Sequence, residues 1–582
     1  MTGRAAGASP QVRHHPSGGA GKLAGVTRFL PALTVSALLA LGAAQAQTVR
    51  PLAEGLPAGA LLTLETHNAG PALKRFSGVL ERVLSAADLG EDDAGSMLGV
   101  AQAVLGDSLG REGIAGVFSV QGKKGTFQPA LLAVTRSGAL TDELLGELLP
   151  EKPGARVGRY TFSRVDGLFA GTSNGLTYVS SDKALLMAYL GRLSGKAAPT
   201  LAASAPYAAA QRAAGTQELG LYANFSAAAK VIRSQLAQIM LPRLLSPVVD
   251  ALDTLGQFAG GLTTTAGGWT TASAQVVNQS GKDRPLARIL LDTTDFGVQG
   301  VIPASAEAVR ATACHPETGA YLGRWLTRVD LLEPFGFLTD SQLASHLEQA
   351  GRYLGDECAQ VTLAGGLKAA LNQEDPLAGL ATTVSYQRVT DRAAADAHLP
   401  EYARSVNDAL EGLRGTVKSL ATSGMDALMD GAMADRDTQA LMLGAGLAGA
   451  SQGKGLDESL AGLKMVYAFR GDYLITAFSQ EALDAALAEG PVLADDAGFR
   501  AAGLTLQGSA GWSYQPDPAD LGAQDLAGML PRELTGNKAT SGMLGGALTA
   551  GADLINRFDG TTSQRAVAGN VIIGKASVRY RW

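Results

Sequence analysis

The sequence predicts an α+β protein built from two structurally similar tandem units, each with a mixed β-sheet and packed helices. Short matching segments recur in both parts of the chain, such as Met-Leu-Pro-Arg at 240–243 and again at 529–532. Stretches of alternating apolar and polar residues are interspersed with stretches of helical periodicity, without the regular alternation of a doubly wound fold. The apolar fraction of 46% is sufficient for two cores of ordinary domain size.

The repeat is supported by the order of its matches. Leu56-Pro57-Ala58 corresponds to Ile302-Pro303-Ala304 (302 − 56 = 246), and Ser181 corresponds to Ser479 (479 − 181 = 298). Matches that keep their order indicate two diverged copies, at 47–300 and 301–582. The offset grows by 52 residues (298 − 246), which predicts a helical insertion rich in Met, Ala and Gly at about 410–463 of the second copy.

Residues 1–46 have the features of an export signal preceded by an N-terminal extension. A basic segment leads into the apolar run 29–41, and Ala44-Gln45-Ala46 supplies the small residues of a cleavage site. No later stretch is long and apolar enough to predict a transmembrane helix in the mature chain. We therefore expect an exported protein that is periplasmic or associated with the cell envelope.

Each unit can be read as strands and helices in one order. In the first unit we expect a helix at 182–193 and a hairpin around Asn174-Gly175, a pair that tolerates positive φ. The long apolar helix 227–255 contains Pro242 and Pro247, which should kink or split it. The expected strands are 61–66, 114–121, 129–135, 160–170, 176–180, 220–225, 270–278 and 287–293.

Two apolar stripes are candidate binding surfaces. In 227–255 the stripe includes Ile232, Leu236 and Met240, and it fits either a lipophilic groove or, preferably, a helix buried against the sheet. In the insertion, Met425, Met429 and Met433 recur at helical spacing. Methionine surfaces adapt to varied partners, although packing within the protein is the preferred interpretation.

The two cysteines, Cys314 and Cys358, lie on the expected first and second strands of the second unit. In an oxidising compartment such a pair favours a disulfide over two buried thiols. Two cysteines alone do not indicate a zinc site.

No motif predicts a catalytic, cofactor-binding or metal-binding residue. The G-x-S-x-G pattern around Ser173 lies at a hairpin turn, and the one around Ser451 lies in a Gly-rich stretch, so neither has the strand–turn–helix context of a hydrolase. His67 and His315 each end the first strand of their copy, where a structural role is preferred over an acid–base role. The net charge of −6 and the pI of 5.7 disfavour nucleic acid as a partner.

The opening Leu-Pro-Ala segment, Ser-Asp-Lys-Ala-Leu-Leu at 181–186, and Leu-Tyr-Ala-Asn-Phe at 221–225 resemble a family of exported bacterial domains of unknown function. The resemblance covers most of both copies and implies localisation and class, but no catalytic residues. We expect a non-enzymatic cell-envelope scaffold or binding module whose partner is an envelope protein. A carrier of a lipophilic ligand and a secreted hydrolase remain alternatives.

Overall fold

The computed structural model describes residues 52–72, 74–76, 78, 111–121, 127–138, 149–150, 154–236, 242–328, 342–370, 375, 377–431, 456–516 and 552–582. The predicted signal segment, Met240 and Met433 lie outside these ranges. So do residues 432–455 of the predicted insertion and most of the second unit's counterpart of helix 227–255.

The described strands belong to an extended antiparallel sheet. Alternating side chains and tight turns such as Asn174-Gly175, where both residues have positive φ, define its hairpins. The strands are β1 Ala60–Thr66, β2 Gly113–Gln121, β3 Phe127–Arg136, β4 Ala155–Val157, β5 Tyr160–Val165, β6 Leu168–Ser173, β7 Leu176–Ser180, β8 Leu219–Asn224, β9 Gln257–Thr265, β10 Gly268–Val276, β11 Ala308–Ala313, β12 Leu354–Thr362, β13 Thr383–Val389, β14 Val466–Arg470, β15 Tyr473–Ala477, β16 Gly511–Gln515, β17 Phe558–Ala568 and β18 Val571–Tyr580.

The helices connect these strands and cover the sheet. Short 3₁₀ turns at Leu52–Glu54, Val298–Gly300 and Leu493–Asp495 accompany them. The α-helices are α1 Lys183–Leu193, α2 Ala205–Ala214, α3 Phe225–Leu236, α4 Pro242–Leu255, α5 Arg284–Leu290, α6 Thr318–Arg328, α7 Leu343–Ala350, α8 Gly366–Ala370, α9 Ala378–Ala381, α10 Arg392–Gly431, α11 Leu456–Ala461, α12 Gln480–Leu487 and α13 Ala497–Ala501.

The strands before and after Val301 pair in the same order. In the first half, neighbouring strands run β6-β7-β3-β2-β1-β8-β9-β10, with β5 and then β4 added beyond β6. In the second half they run β14-β15-β13-β12-β11-β16-β17-β18. The duplication inferred from the sequence stays a prediction about ancestry, but the two halves have the same strand order.

The halves join through β10 and β18. Gly268 pairs with Arg579 and Val276 pairs with Val571. The hairpins β9–β10 and β17–β18 correspond at an offset of 303 residues (571 − 268), and this offset maps the β10–β18 pairing onto itself. The join is therefore related by an approximate two-fold axis, as in an isologous dimer, with Ala272 and Lys575 paired at its centre.

Each half has its own hydrophobic core. The first packs α1, α2 and the turn Leu52–Glu54 against the sheet, and the second packs α12, α13 and the turn Val298–Gly300 in the corresponding places. Leu56 and Ile302, matched by the sequence repeat, are both fully buried. A backbone hydrogen bond to each of these two residues is also shared. Leu201 N donates to Leu56 O, and Leu493 N donates to Ile302 O, each at 2.8 Å.

The α+β class is confirmed, with several differences in detail. All described strand pairings are antiparallel, so the sheet is simpler than the mixed sheet expected. The strand predicted at 287–293 is wrong, because α5 occupies most of this segment; it begins after Asp283, whose carboxylate accepts from Leu286 N, and has a proline in its first turn. The sequence pattern did not identify β9, and the segment predicted as one strand at 160–170 contains two, β5 and β6, separated by a turn at Asp166-Gly167.

The long apolar stretch 227–255 forms two helices rather than one. Helix α3 ends at Leu236, and α4 begins at Pro242 and carries Pro247 inside it. Proline is well suited to the first turn of a helix because it has no N–H to leave unsatisfied. The two helices pack on each other through Ala229 and Val249.

The disulfide between Cys314 and Cys358 is present, and it links the end of β11 to β12 with a Cα–Cα distance of 5.7 Å. None of the helices in the described ranges has the length and apolarity that a membrane crossing requires.

Candidate functional site

A cluster of polar side chains lies on the core-facing side of β1. Along this strand, Thr63 and Glu65 point inward and are buried, whereas Leu62 and Leu64 point outward. One oxygen of Glu65, Oε1, accepts a hydrogen bond from the Thr63 hydroxyl at 3.1 Å. The other, Oε2, lies 3.5 Å from Nε2 of His67, just beyond the end of the strand.

Helix α2 supplies the other half of the cluster. It starts after Ser204, has a proline in its first turn, and ends at Gly215, which has a φ of 78°. The Tyr207 hydroxyl donates to Glu65 Oε1 at 2.7 Å, and the Gln211 amide, one helical turn later, approaches the same oxygen at 3.4 Å. The buried carboxylate therefore has hydrogen-bond donors from two elements that are far apart in sequence.

The cluster borders a pocket of about 320 Å³ lined by Glu65, His67, Gln211 and Arg212, with Gly220 and residues 214–217 completing the wall. Gly220 is paired with Glu65 across β1 and β8. A Cβ on Gly220 would lie 3.4 Å from the Glu65 Cβ, so a larger side chain would extend into this space. The volume is in the range of small-ligand sites.

Proton affinities in the cluster are set by Glu65 together with burial. Its hydrogen bond raises the pKa of His67, and the negative charges of Glu65 and Glu112 act in the same direction against the effect of burial. Burial, followed by the Glu65 charge, raises the pKa of Tyr207, so the hydroxyl stays protonated and donates. His67 is thus a partly exposed imidazole with an increased tendency to carry a positive charge.

The corresponding positions of the second half are apolar. Thr63 and Glu65 correspond to Val309 and Ala311, since each pair occupies the same register against β8 and β16. The remaining counterparts of His67, Tyr207, Gln211 and Gly220 are Ala313, Phe499, Gly503 and Trp512.

Trp512 fills the space that is open in the first half. Its side chain is 2% exposed, and its ring lies 5.2 Å from that of Phe499. The first half therefore pairs a carboxylate with a glycine where the second half pairs an alanine with a tryptophan. The same backbone arrangement holds a polar pocket in one half and a packed core in the other.

A different polar group is shared by both halves. Glu112 Oε1 accepts from Leu52 N at 2.8 Å, and Oε2 pairs with Arg136. The counterpart Glu357 accepts from Val298 N at 2.6 Å and pairs with Arg388. Because each carboxylate satisfies backbone N–H groups of a 3₁₀ turn, this group has a structural role.

The Glu357 group has an additional member, Tyr473, whose hydroxyl donates to Glu357 Oε2 at 2.7 Å. Burial and this carboxylate raise the pKa of Tyr473 to about 12. The carboxylate of Glu357 is fully buried, whereas that of Glu112 is 23% exposed. The second half therefore depends on a more deeply buried form of the shared ion pair.

The other histidines of the described ranges lie apart from this site. His315 Nδ1 accepts from Glu317 N at 3.1 Å, in a turn after β11. His346 and His398 are hydrogen-bonded at 2.8 Å between α7 and α10, and burial together with the charge of His346 lowers the pKa of His398. No group of three or more potential metal ligands occurs among the described residues.

The apolar residues singled out in the sequence lie on separate helices where the structure describes them. Ile232 packs with Ala229, Val249 and Leu252 in the contact between α3 and α4. Leu236 ends α3, and Met425 and Met429 lie on α10. Ser173 ends β6 and hydrogen-bonds to Thr161, in the hairpin position expected for it. A role of these apolar residues in binding stays a prediction.

Sequence analysis identified His67 but did not combine it with its partners. Tyr207 lies 142 residues from Glu65, and nothing in the spacing predicts their contact. One signal was available, because the alternation along β1 places Glu65 on the same face as Thr63. A carboxylate on the core face of a strand needs partners and therefore indicates a special environment.

Comparison with known proteins gives weak similarities. No family model and no curated protein matches the chain. Three crystal forms of a protein designated TP0453 match with 13–14% identity, covering 42–43% of this chain and 86–90% of theirs, at TM-scores of 0.22–0.23. Similarity at this level supports no inference about fold or function.

Proposed function

We propose that this protein is an exported, non-enzymatic binding protein of the cell envelope, and that the pocket beside Glu65 and Gly220 holds a small polar ligand. The observation that carries the proposal is the contrast between this pocket and the packed cluster around Trp512. The second half reaches the same strand order with apolar residues at these positions, so the polar set is not needed for folding. Even a paired buried carboxylate carries a desolvation cost that the apolar set of the second half avoids, which favours a role in binding.

Binding is favoured over catalysis by the contacts of His67. In the described part of the chain, its ring hydrogen-bonds to Glu65, and no serine, threonine or cysteine side chain is placed against it as a nucleophile would be. A hydrolase needs a nucleophile paired with a histidine, and His67 has no such partner among the described residues. The side chains of Glu65, His67, Gln211 and Arg212 in the lining also favour a hydrophilic ligand over the lipophilic one considered from the sequence.

Export is supported by two features. The signal-like residues 1–46 predict translocation. The disulfide between Cys314 and Cys358 is typical of proteins that fold in an oxidising compartment. We place the protein in the periplasm or on the envelope, with the paired halves forming one continuous sheet as a scaffold for the pocket.

The experiment compares ligand content in three forms of the full chain. Wild type, Gly220→Trp and Gly490→Trp are purified from the envelope fraction, and their small-molecule extracts are analysed by mass spectrometry. Gly490 is exposed, and a Cβ there meets nothing within 4 Å, so its variant controls for adding a tryptophan. We expect a compound in wild type and the control that is missing from Gly220→Trp. Equal content in all three forms, or no bound compound in any, would contradict the proposal.

A further inference from the structure

The charges around the pocket identify the kind of ligand it favours. Glu65 is the acidic residue in the lining, and its carboxylate already accepts from Thr63 and Tyr207 and contacts His67. Its oxygens already accept from donors within the protein, so they offer few free acceptor positions to a ligand. The charged groups that remain available to a ligand are therefore the cations of the lining.

Arg212 is the main source of that charge. It lies on α2 beside Gln211, and its side chain is exposed at the pocket. Its Nε donates to Ala208 O of its own helix at 3.1 Å. No carboxylate of the described residues lies within ion-pair distance of its guanidinium, whose remaining N–H groups suit a carboxylate or a phosphate.

His67 adds a second, pH-dependent cation. The charged groups around it are Glu65 on its own strand, Glu112 before β2, Glu218 before β8 and Arg212 on α2. Glu112 is paired with Arg136, and the Glu218 carboxylate accepts from both the backbone N–H and the hydroxyl of Thr264. Glu65 thus acts most directly on His67 and favours its protonated form.

We infer that the ligand is a small organic anion, held through a carboxylate or phosphate group by Arg212 and His67. This inference rests on the proposed function and adds the chemical class of the ligand. A volume of about 320 Å³ limits the anion to the size of a small metabolite. The amide of Gln211 and the backbone of 215–217 line the part of the pocket that would surround the rest of the molecule.

The test is isothermal titration of the full mature chain with matched charged and neutral probes. Succinate and citrate represent carboxylates, inorganic phosphate and glycerol 3-phosphate represent phosphates, and succinamide and glycerol are the neutral counterparts. We expect at least one anion to bind, with its neutral counterpart weaker by about tenfold or more because a charge-assisted contact is lost. Whether the carboxylates or the phosphates bind distinguishes the two sources.

Variants show where the anion binds. Arg212→Gln and His67→Gln should each weaken the bound anion by about tenfold. Arg156→Gln is the matched control, since Arg156 is an exposed arginine whose Nε donates to Gly158 O, away from the pocket lining. As the pH falls toward about 6, where His67 is protonated, affinity should increase in wild type relative to His67→Gln, a comparison in which the titration of the probe itself cancels.

Failure of this inference differs from failure of the proposed function. Equal binding of succinate and succinamide, binding that Arg212→Gln leaves unchanged, or no binding of any of the four anions would overturn the anion assignment. The pocket itself would still be supported if the compound that co-purifies with wild type were neutral and missing from Gly220→Trp. If Gly220→Trp retained that compound, this result would contradict the proposed function as well.

Discussion

The two halves keep one polar group in common and differ in another. The Glu112–Arg136 pair has its counterpart in Glu357–Arg388, and each carboxylate accepts from the N–H of the turn that precedes the first strand of its half. The group around Glu65 has a hydrophobic counterpart around Trp512. The first group is needed in both halves, because it accepts hydrogen bonds from buried backbone N–H groups that would otherwise lack an acceptor.

The difference between the halves separates structural from functional chemistry within one chain. At the Glu65 position the backbone accepts either a carboxylate opposite a glycine or an alanine opposite a tryptophan. Both residue pairs occupy the same register between neighbouring strands, but only the pair of carboxylate and glycine leaves an open volume. The predictions below test this distinction, beginning with the change that should have the largest effect.

Removing the Trp512 side chain, which occupies the position of the pocket in the second half, should be the most destabilising change. Trp512→Gly deletes a side chain that is 2% exposed and packs on Phe296 and Phe499. Loss of a buried aromatic, with the added cost of glycine in a strand, should lower the free energy of unfolding by about 4–6 kcal/mol. Urea unfolding followed by circular dichroism measures this loss.

The control for that experiment exchanges the pair in the opposite direction. Glu65→Ala combined with Gly220→Trp gives the first half the residues of the second, and its stability should stay within about 1–2 kcal/mol of wild type. A double variant that does not fold would mean that the two halves are not interchangeable at this position. A loss below about 1 kcal/mol in Trp512→Gly would show that the tryptophan is not a core residue.

The shared ion pair should matter more in the second half. Glu357→Ala leaves Arg388, the Tyr473 hydroxyl and two backbone N–H groups without their acceptor in a fully buried place. The expected loss is about 3–5 kcal/mol, because removing one partner exposes the full cost of burying the others. Glu112→Ala, at a partly exposed pair, should cost about 1–2 kcal/mol when measured in the same way. Equal losses in both variants would contradict the burial argument.

The disulfide is a covalent link that the second half has and the first half lacks, and removing it tests how much this link stabilises the protein. Cys314 and Cys358 correspond to Asn68 and Gly113 in the first half, which has no such link. Closing a loop with a separation of 44 residues restricts the unfolded chain, so the variant with serine at both positions should lose about 2–4 kcal/mol. A reducing agent should lower the melting temperature of wild type and leave that of the serine variant unchanged. Equal sensitivity of both proteins would exclude the disulfide as the cause.

Much of the fold could be predicted because its signals are local. Alternation along β1, the Asn174-Gly175 turn and the proline that begins α4 act within a few residues. The offset of 246 at Leu56 and Ile302 also holds in the structure, since both side chains are buried in corresponding turns. Local geometry and burial pattern were therefore accessible from the sequence.

What could not be predicted depends on register between distant strands. The sequence matches give offsets of 246 and 298, but the hairpins β9–β10 and β17–β18 correspond at an offset of 303, and an irregularity between Phe558 and Gly560 shifts the pairing of β17 with β18. The site was missed for a related reason, since Glu65 meets Tyr207 only after β1, β8 and α2 are assembled. A pattern within one segment does not show which other segment packs against it.

The smallest expected effect is a pH dependence confined to the first half. Glu65 raises the pKa of His67 in the folded protein, so folding favours the protonated imidazole. The resulting stability is fully present below the ordinary value of about 6.5 and is lost as the pH rises through the raised value. Because the His67 side chain is 35% exposed, solvent screening limits the effect to a few tenths of a kcal/mol.

The measurement compares His67→Ala, which carries the residue of the second half, with wild type. The difference in unfolding free energy should be greatest near about pH 5.5 and should shrink toward about pH 8. Glu65→Gln removes the negative charge that raises the pKa, so an NMR titration of His67 in this variant should show a lower midpoint than in wild type. An unchanged midpoint would mean that Glu65 does not raise the pKa of His67. The polar cluster would then differ from its apolar counterpart in composition, but Glu65 would not make its stability depend on pH.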